Sequence, residues 1–238
     1  MGSYEASFVL EVLEWGGAGA ALWRFPCREG FARRDGGGAG PDGPTDGVGE
    51  VHREVAFRVR AALLDHQVPS LAYALEEPVH VNVARDALDR LGLAPGPWVR
   101  TLKEAVQRGA PGQTPIPLPD GRLAPLEVLV GEGVVRASEG QKLAYVADCV
   151  WEEPGIARAV TLCRAAHVLY CEAAFLEEDA DRARDRFHLT AAQAGELARR
   201  AGVGELRVFH FSPKYRGREE EVLGEAAEAF GGPVALGP

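Results

Sequence analysis

Residues 142–215 constrain this chain more than any other stretch. K-L-A-Y-V-A-D-C opens it, an apolar run of β character that ends on Asp148. V-L-Y-C-E-A-A-F follows at 168–175 and carries Glu172. After an acidic linker come R-F-H-L-T-A-A-Q-A (186–194), with His188, and L-R-V-F-H-F-S-P-K-Y (206–215), with His210. Three short apolar runs thus deliver a polar residue near their C-terminal ends: Asp148, Glu172 and His210. In α/β proteins, strand ends are where ligands and catalytic groups gather. One aspartate and two histidines there point to metal chemistry, because carboxylate and imidazole are ordinary ligands for zinc and similar ions.

The intervening segments predict an α/β order. W-E-E-P-G-I-A-R-A-V-T-L-C-R-A-A (151–166) reads as a helix between the Asp148 and Glu172 strands, which makes those strands neighbours in one sheet. A second helix spans 190–202, capped by Thr190 and stopped at Gly202. A last helix covers about 217–230. Nearer the N-terminus, 4–15 suits a strand and 20–25 its hairpin partner. The glycine- and proline-rich segment 35–49 reads as a flexible surface loop. Residues 54–65 alternate and then turn wholly apolar, as a strand entering a core does, and 70–76 form the next strand. Helical spacing marks 83–92 and 96–109, with Pro97 in the first turn of the second. Residues 119–130 read as a turn and a short strand.

With 238 residues, 46% of them hydrophobic and 26% charged, the chain suits one globular domain. No apolar run reaches membrane-spanning length and no secretory signal is visible, so a cytoplasmic protein without membrane contact is expected. The four cysteines form no C-x-x-C and read as reduced, buried thiols. A net charge of −9 argues against a generic nucleic-acid coat, although locally clustered cations would still permit an RNA enzyme.

Y-V-A-D-C, C-E-A-A-F-L-E-E-D-A, H-L-T-A-A-Q-A and H-F-S-P-K-Y, in this order, resemble the C-terminal half of ribonuclease Z. That is the tRNA 3′-processing endonuclease of the metallo-β-lactamase superfamily. L-L-D-H-Q-V-P-S-L-A-Y (63–73) is similar to that family's histidine-bearing segment. The resemblance covers roughly residues 50–220. It implies an α/β metallo-β-lactamase-like αββα sandwich, of which this chain would be the C-terminal portion. It also implies pre-tRNA as substrate, a homodimer, and two zinc ions, with manganese as an alternative.

The residue roles follow from the same resemblance. Asp148 would bridge the ions, with His66 completing one ion's ligands and His210 the other's. His66 on its own would read as a hydrogen-bonded structural residue; V-P-S-L-A-Y behind it turns the reading to a ligand. His188 would be the acid that protonates the departing 3′-oxygen, a task suited to an imidazole. Either Glu172 or Glu178 could orient it. Ser212, Lys214 and Tyr215 would sit beside the phosphate or the RNA end. A tRNA-gripping insert would span about 80–130, with Arg100, Lys103 and Arg108 on phosphates and Trp98 as an apolar prop; a solvated amphipathic helix explains the same residues equally well.

One departure stands out. The family's H-x-H-x-D-H does not occur in these residues, and the only histidine before His66 is His52, in E-V-H-R-E. The chain is expected to begin just after that motif. Three ligands spread over two ions fall short of the three per ion that zinc sites normally take, so weak metal binding is expected. Three readings follow: part of a genuine endonuclease, a non-catalytic half serving as dimer partner or RNA-binding module, or a superfamily hydrolase of another ester or phosphodiester.

Overall fold

The structure is a computed structural model that describes residues 8–16, 19–39 and 47–238. The chain divides into two compact units, one of residues 1–76 and 142–238 and the other of residues 77–141.

In the larger unit, β1 (Val9–Gly16), β2 (Gly19–Pro26) and β3 (Arg34–Ala39) form an antiparallel three-stranded sheet. The β1–β2 hairpin is the one the alternation predicts, although residues 4–7 lie outside the described set. Residues 35–39, expected as flexible loop, are instead most of β3. The pairing is a backbone affair: a Cβ on Gly36 would meet the Leu22 carbonyl oxygen at 2.6 Å, so only glycine lets the strands approach. The rest of that expected loop, 40–46, also lies outside the described residues. Residues 47–49 enter β4 (Val48–Arg53), which pairs with β5 (Arg58–His66), which in turn pairs with β6 (Val68–Glu76).

The smaller unit contains β7 (His80–Val83), α1 (Arg85–Leu91), α2 (Trp98–Gln107), β8 (Pro115–Pro117), β9 (Leu123–Pro125), α3 (Leu126–Gly131) and β10 (Val135–Ser138). It has its own core, in which Leu102 and Ile116 are fully buried. The strand expected at 119–130 covers only β9. L-E-V-L continues as helix because Leu126 and Leu129, three residues apart, both bury on the same face.

The chain then returns to the larger unit with β11 (Lys142–Val146), α4 (Gly155–Cys163), β12 (Val168–Glu172), α5 (Ala180–Asp185), α6 (Ala191–Ala201), β13 (Glu205–Phe209), α7 (Glu219–Phe230) and β14 (Val234–Leu236). A mixed seven-stranded sheet results, ordered β14-β13-β12-β11-β6-β5-β4. The Asp148 and Glu172 strands are parallel neighbours, as the strand–helix–strand order predicts. Buried Glu76 receives Lys142 from β11 and Arg58 from β5, a pair of ionic ties across three strands. α4, α6 and α7 pack on the sheet face that buries Ala144, Leu169 and Leu206. On the alternating positions Tyr73 pairs with Tyr145 and Leu75 with Leu143, and all four are about two-fifths exposed. Among the described residues no helix is long and apolar enough to cross a membrane.

The close packing of α6 on α7 passes through Gly195, where a Cβ would lie 2.4 Å from the Ala226 carbonyl oxygen and 2.8 Å from Ala229 Cβ. Gly224, on α7, has nothing within 4 Å of the same position. Helix propensity favours alanine over glycine by about 1 kcal/mol, while overpacking costs about 1–3 kcal/mol. Gly195→Ala should therefore lower the urea midpoint and Gly224→Ala should raise it. Parallel denaturant titrations of the two variants check both signs.

Candidate metal and acid–base centre

Four side chains converge at the C-terminal ends of β11, β12 and β13. Asp148, Glu172, His188 and His210 each offer a ligand-type atom, and these atoms lie within 4.8 Å of one another. Asp148 sits two residues past β11, Glu172 ends β12, and His210 directly follows β13. The parallel register brings the strand ends level, and His188 arrives from the segment between α5 and α6.

Two of the three strand-end residues have backbones in the left-handed region, Asp148 at φ 51° and His210 at φ 62°. Phe187, next to His188, is a third at 59°. Such conformations disfavour non-glycine residues and survive where the surroundings hold them. Ser70 Oγ donates to the Asp148 carbonyl at 2.8 Å, and Val150 N–H donates to the Asp65 carbonyl at 2.9 Å. His210 is bracketed by Ala173 N–H to the Phe209 carbonyl and Ser212 N–H to the Ala174 carbonyl, both 2.9 Å. Next to Phe187, His188 N–H donates to the Ala183 carbonyl at 2.9 Å.

Glu172 is fully buried and both its oxygens are engaged. Oε1 accepts the Cys149 N–H at 2.8 Å, and Oε2 accepts His188 Nδ1–H at 2.6 Å. Glu178 is instead paired with Arg218. Of the two glutamates that could orient His188, the fold uses Glu172. Its hydrogen bond raises the His188 pKa above the ordinary imidazole value, outweighing burial, with help from the charges of Glu172 and Asp148.

Asp148 differs. Its Oδ1 is buried and has no hydrogen-bond partner. His210 Nδ1 lies 3.3 Å away and His188 Nδ1 3.8 Å away. His66 stands beside this group, its ring centroid 4.7 Å from that of His188. His66 Nδ1–H donates to the Phe187 carbonyl at 2.7 Å, which leaves the Nε2 lone pair for other use. An orphaned carboxylate oxygen among imidazole nitrogens is a donor set that suits a zinc-like cation. A thiol nucleophile is not available here: burial pushes Cys163 up to about 12, and Cys149 and Cys171 also lie well above the ordinary thiol value.

The remaining candidates are divided. Ser212 lines a cleft of about 330 Å³ together with His188 and His210. Tyr215 is buried, its hydroxyl donating to Asp179, and Lys214 pairs with the same carboxylate. Burial pushes the Tyr215 hydroxyl up to about 12. Arg100 and Lys103 lie on α2 in the 77–141 unit, where Arg100 donates to Glu104. The two arginines of the cleft, Arg182 and Arg186, were not singled out by sequence; the only signal available was their four-residue spacing just before His188.

The raised His188 pKa gives a sign for pH. Its stabilising contribution is complete below the unfolded imidazole value, about 6.5, and fades as pH rises through the folded value. Glu172→Gln should bring the His188 pKa down, read by NMR titration of the metal-free chain. The stability gap between wild type and Glu172→Gln should then be wider at pH 6 than at pH 9 in denaturant titrations.

No family model matches the chain. Over 213 residues it is 35% identical to a protein named ribonuclease Z from Deinococcus radiodurans, covering 90% of this chain and 60% of that protein. The ribonuclease Z of Thermobifida fusca is 38% identical over 190 residues, 78% of this chain and 53% of that one. Among solved structures, the metallo-β-lactamase fold protein YhfI from Bacillus subtilis superimposes with a TM-score of 0.47 at 14% identity, over 82% of this chain and 52% of that one, a likeness too loose to argue from. The chain thus spans between half and three-fifths of the length of these two curated relatives. Over the span it shares with them, the chain is similar in sequence to these two proteins named ribonuclease Z.

Proposed function

We propose that this chain carries the proton-donating side of a ribonuclease Z-type phosphodiesterase site, one that removes 3′ trailers from pre-tRNA by endonucleolytic cleavage. The observation that supports this most directly is the buried, unpartnered Asp148 Oδ1 between two imidazoles. A buried carboxylate oxygen without a hydrogen bond is costly, and a bound cation would remove that cost. The similarity to ribonuclease Zs supplies the substrate class in this reading.

Asp148, His210 and His66 are the residues that would hold metal, zinc first and manganese second. When bound, the ion supplies charge neutralisation at the phosphate and a water activated for attack. The protein's own part is proton transfer and orientation. Glu172 is saturated by Cys149 N–H and His188, so its work is to fix His188 rather than to bind a cation. With Nδ1–H held by Glu172, the other ring nitrogen, Nε2, carries the transferable proton and delivers it to the departing 3′-oxygen. The raised pKa favours the acid form. The homodimer of the family belongs to the same reading.

Two measurements test it. Purified chain is incubated with a trailer-bearing pre-tRNA and zinc or manganese. Cleavage at the end of the tRNA body is expected, with His188→Ala lowering kcat by about 10²–10⁴-fold. Binding without any cleavage would favour the non-catalytic RNA-binding half. Elemental analysis after dialysis is the second measurement: Asp148→Ala and His210→Ala should each lower retained zinc relative to the parent chain, and unchanged retention would remove these two residues from the ligand set.

A further inference from the structure

The cleft beside His188 has a cationic wall that the proposed chemistry leaves unused. Arg182 lies on α5 and Arg186 directly follows it, so the two share one face, four residues apart. Both line the cleft of about 330 Å³ that also holds His188, His210 and Ser212. Phe175 forms its floor: the Arg182 guanidinium carbon sits 5.9 Å from that ring's centroid, and the His188 ring 6.3 Å from it.

Three neighbouring cations are already matched. Lys214 pairs with Asp179, Arg184 with Asp181, and Arg218 with Glu178 and Glu221. Among the described residues neither Arg182 nor Arg186 forms a side-chain hydrogen bond or an ion pair with a carboxylate. The charge of Arg182 is felt by Asp179, whose oxygen is taken by Lys214 and Tyr215. In a chain of net charge −9, two guanidiniums at the rim of one cleft without ion-pair partners are conspicuous. The wall is also held in register with the acid–base pair. His188 N–H donates to the Ala183 carbonyl within α5, Phe175 N–H donates to the Leu189 carbonyl, and Ala191 N–H donates to the Phe175 carbonyl.

We propose that Arg182 and Arg186 form a clamp for a backbone phosphate of the RNA strand that flanks the bond to be cut; this rests on the phosphodiesterase reading above. Guanidinium forks match the non-bridging oxygens of a phosphodiester, and binding them to a phosphate would set the strand's position relative to His188. The pair acts in positioning and contributes no proton to the reaction.

The test uses the full chain and a fluorescently labelled single-stranded RNA carrying an acceptor 3′ end and a short trailer. Anisotropy is read without metal at several salt concentrations. R182Q/R186Q should weaken binding by about ten- to a hundredfold. It should also flatten the slope of log Kd against log salt by about 0.7 for each phosphate that is no longer neutralised. R182K/R186K should keep most of the slope and part of the affinity, because ammonium groups retain charge without the fork. R199Q serves as control, since Arg199 is occupied by Glu196. Unchanged binding and slope in a folded R182Q/R186Q chain would overturn the clamp.

Pre-tRNA turnover separates this inference from the function it rests on. If the parent chain cuts, R182Q/R186Q should raise KM with kcat held within about threefold; a decrease confined to kcat counts against a clamp. If the parent chain binds the RNA and does not cut, the proposed activity fails, while weakened binding in the double variant still supports the clamp.

Discussion

The larger unit depends on one buried carboxylate. Glu172 is the only fully buried acidic side chain among the described residues, and a charge in that position is costly unless it is paired and hydrogen-bonded. Its two oxygens reach the turn after β11 through Cys149 and the segment after α5 through His188. Three pieces of chain that are remote in sequence therefore meet at one group. The same bonds place the His188 proton on Nδ1, leave Nε2 facing other business, and raise the imidazole's pKa. Removing the carboxylate would remove the reason for all three.

Around this anchor the backbone is held in disfavoured conformations. Asp148, Phe187 and His210 all occupy the left-handed region without being glycine. Each is braced by hydrogen bonds from neighbouring strands or turns, so the sheet's many ordinary bonds sustain a few strained residues. Strain and an orphaned oxygen coincide at Asp148, which is where a functional demand rather than folding would explain both.

The seven-stranded sheet offers two unlike faces. Small and aliphatic residues such as Ala72, Ala144 and Leu169 bury beneath α4, α6 and α7. On the opposite alternation Tyr73, Leu75, Leu143 and Tyr145 remain partly exposed, with Phe209 stacked on Tyr145 at 5.1 Å between ring centroids. A period of two in the strands produces both sets at once. The curated relatives are considerably longer than the span they share with this chain, so their activity is a proposal for it, tied to the residues at the strand ends.

Much of the architecture was legible because its signals are local. The parallel β11, β12 and β13 announce themselves as apolar runs, and the α6 boundaries follow from a capping box between Thr190 and Gln193 and a left-handed Gly202. Asp148, Glu172 and His210 were legible as a set because strand ends converge in a parallel sheet, and His188 joins them from the segment between α5 and α6. What sequence left open required neighbours in space. The choice of Glu172 over Glu178 follows from burial and from Arg218 taking the other. The glycine strand β3 exists because of an approach to Leu22 that no local propensity encodes. Tyr215 is buried with its hydroxyl on Asp179, and Arg182 and Arg186 line the cleft beside His188 because α5 and the residue that follows it pack there. Periodicity and capping are properties of adjacent residues, so sequence alone determined them; partners, burial and pKa depend on groups as far apart as His66 and Phe187, 121 residues, and only the tertiary structure decided those.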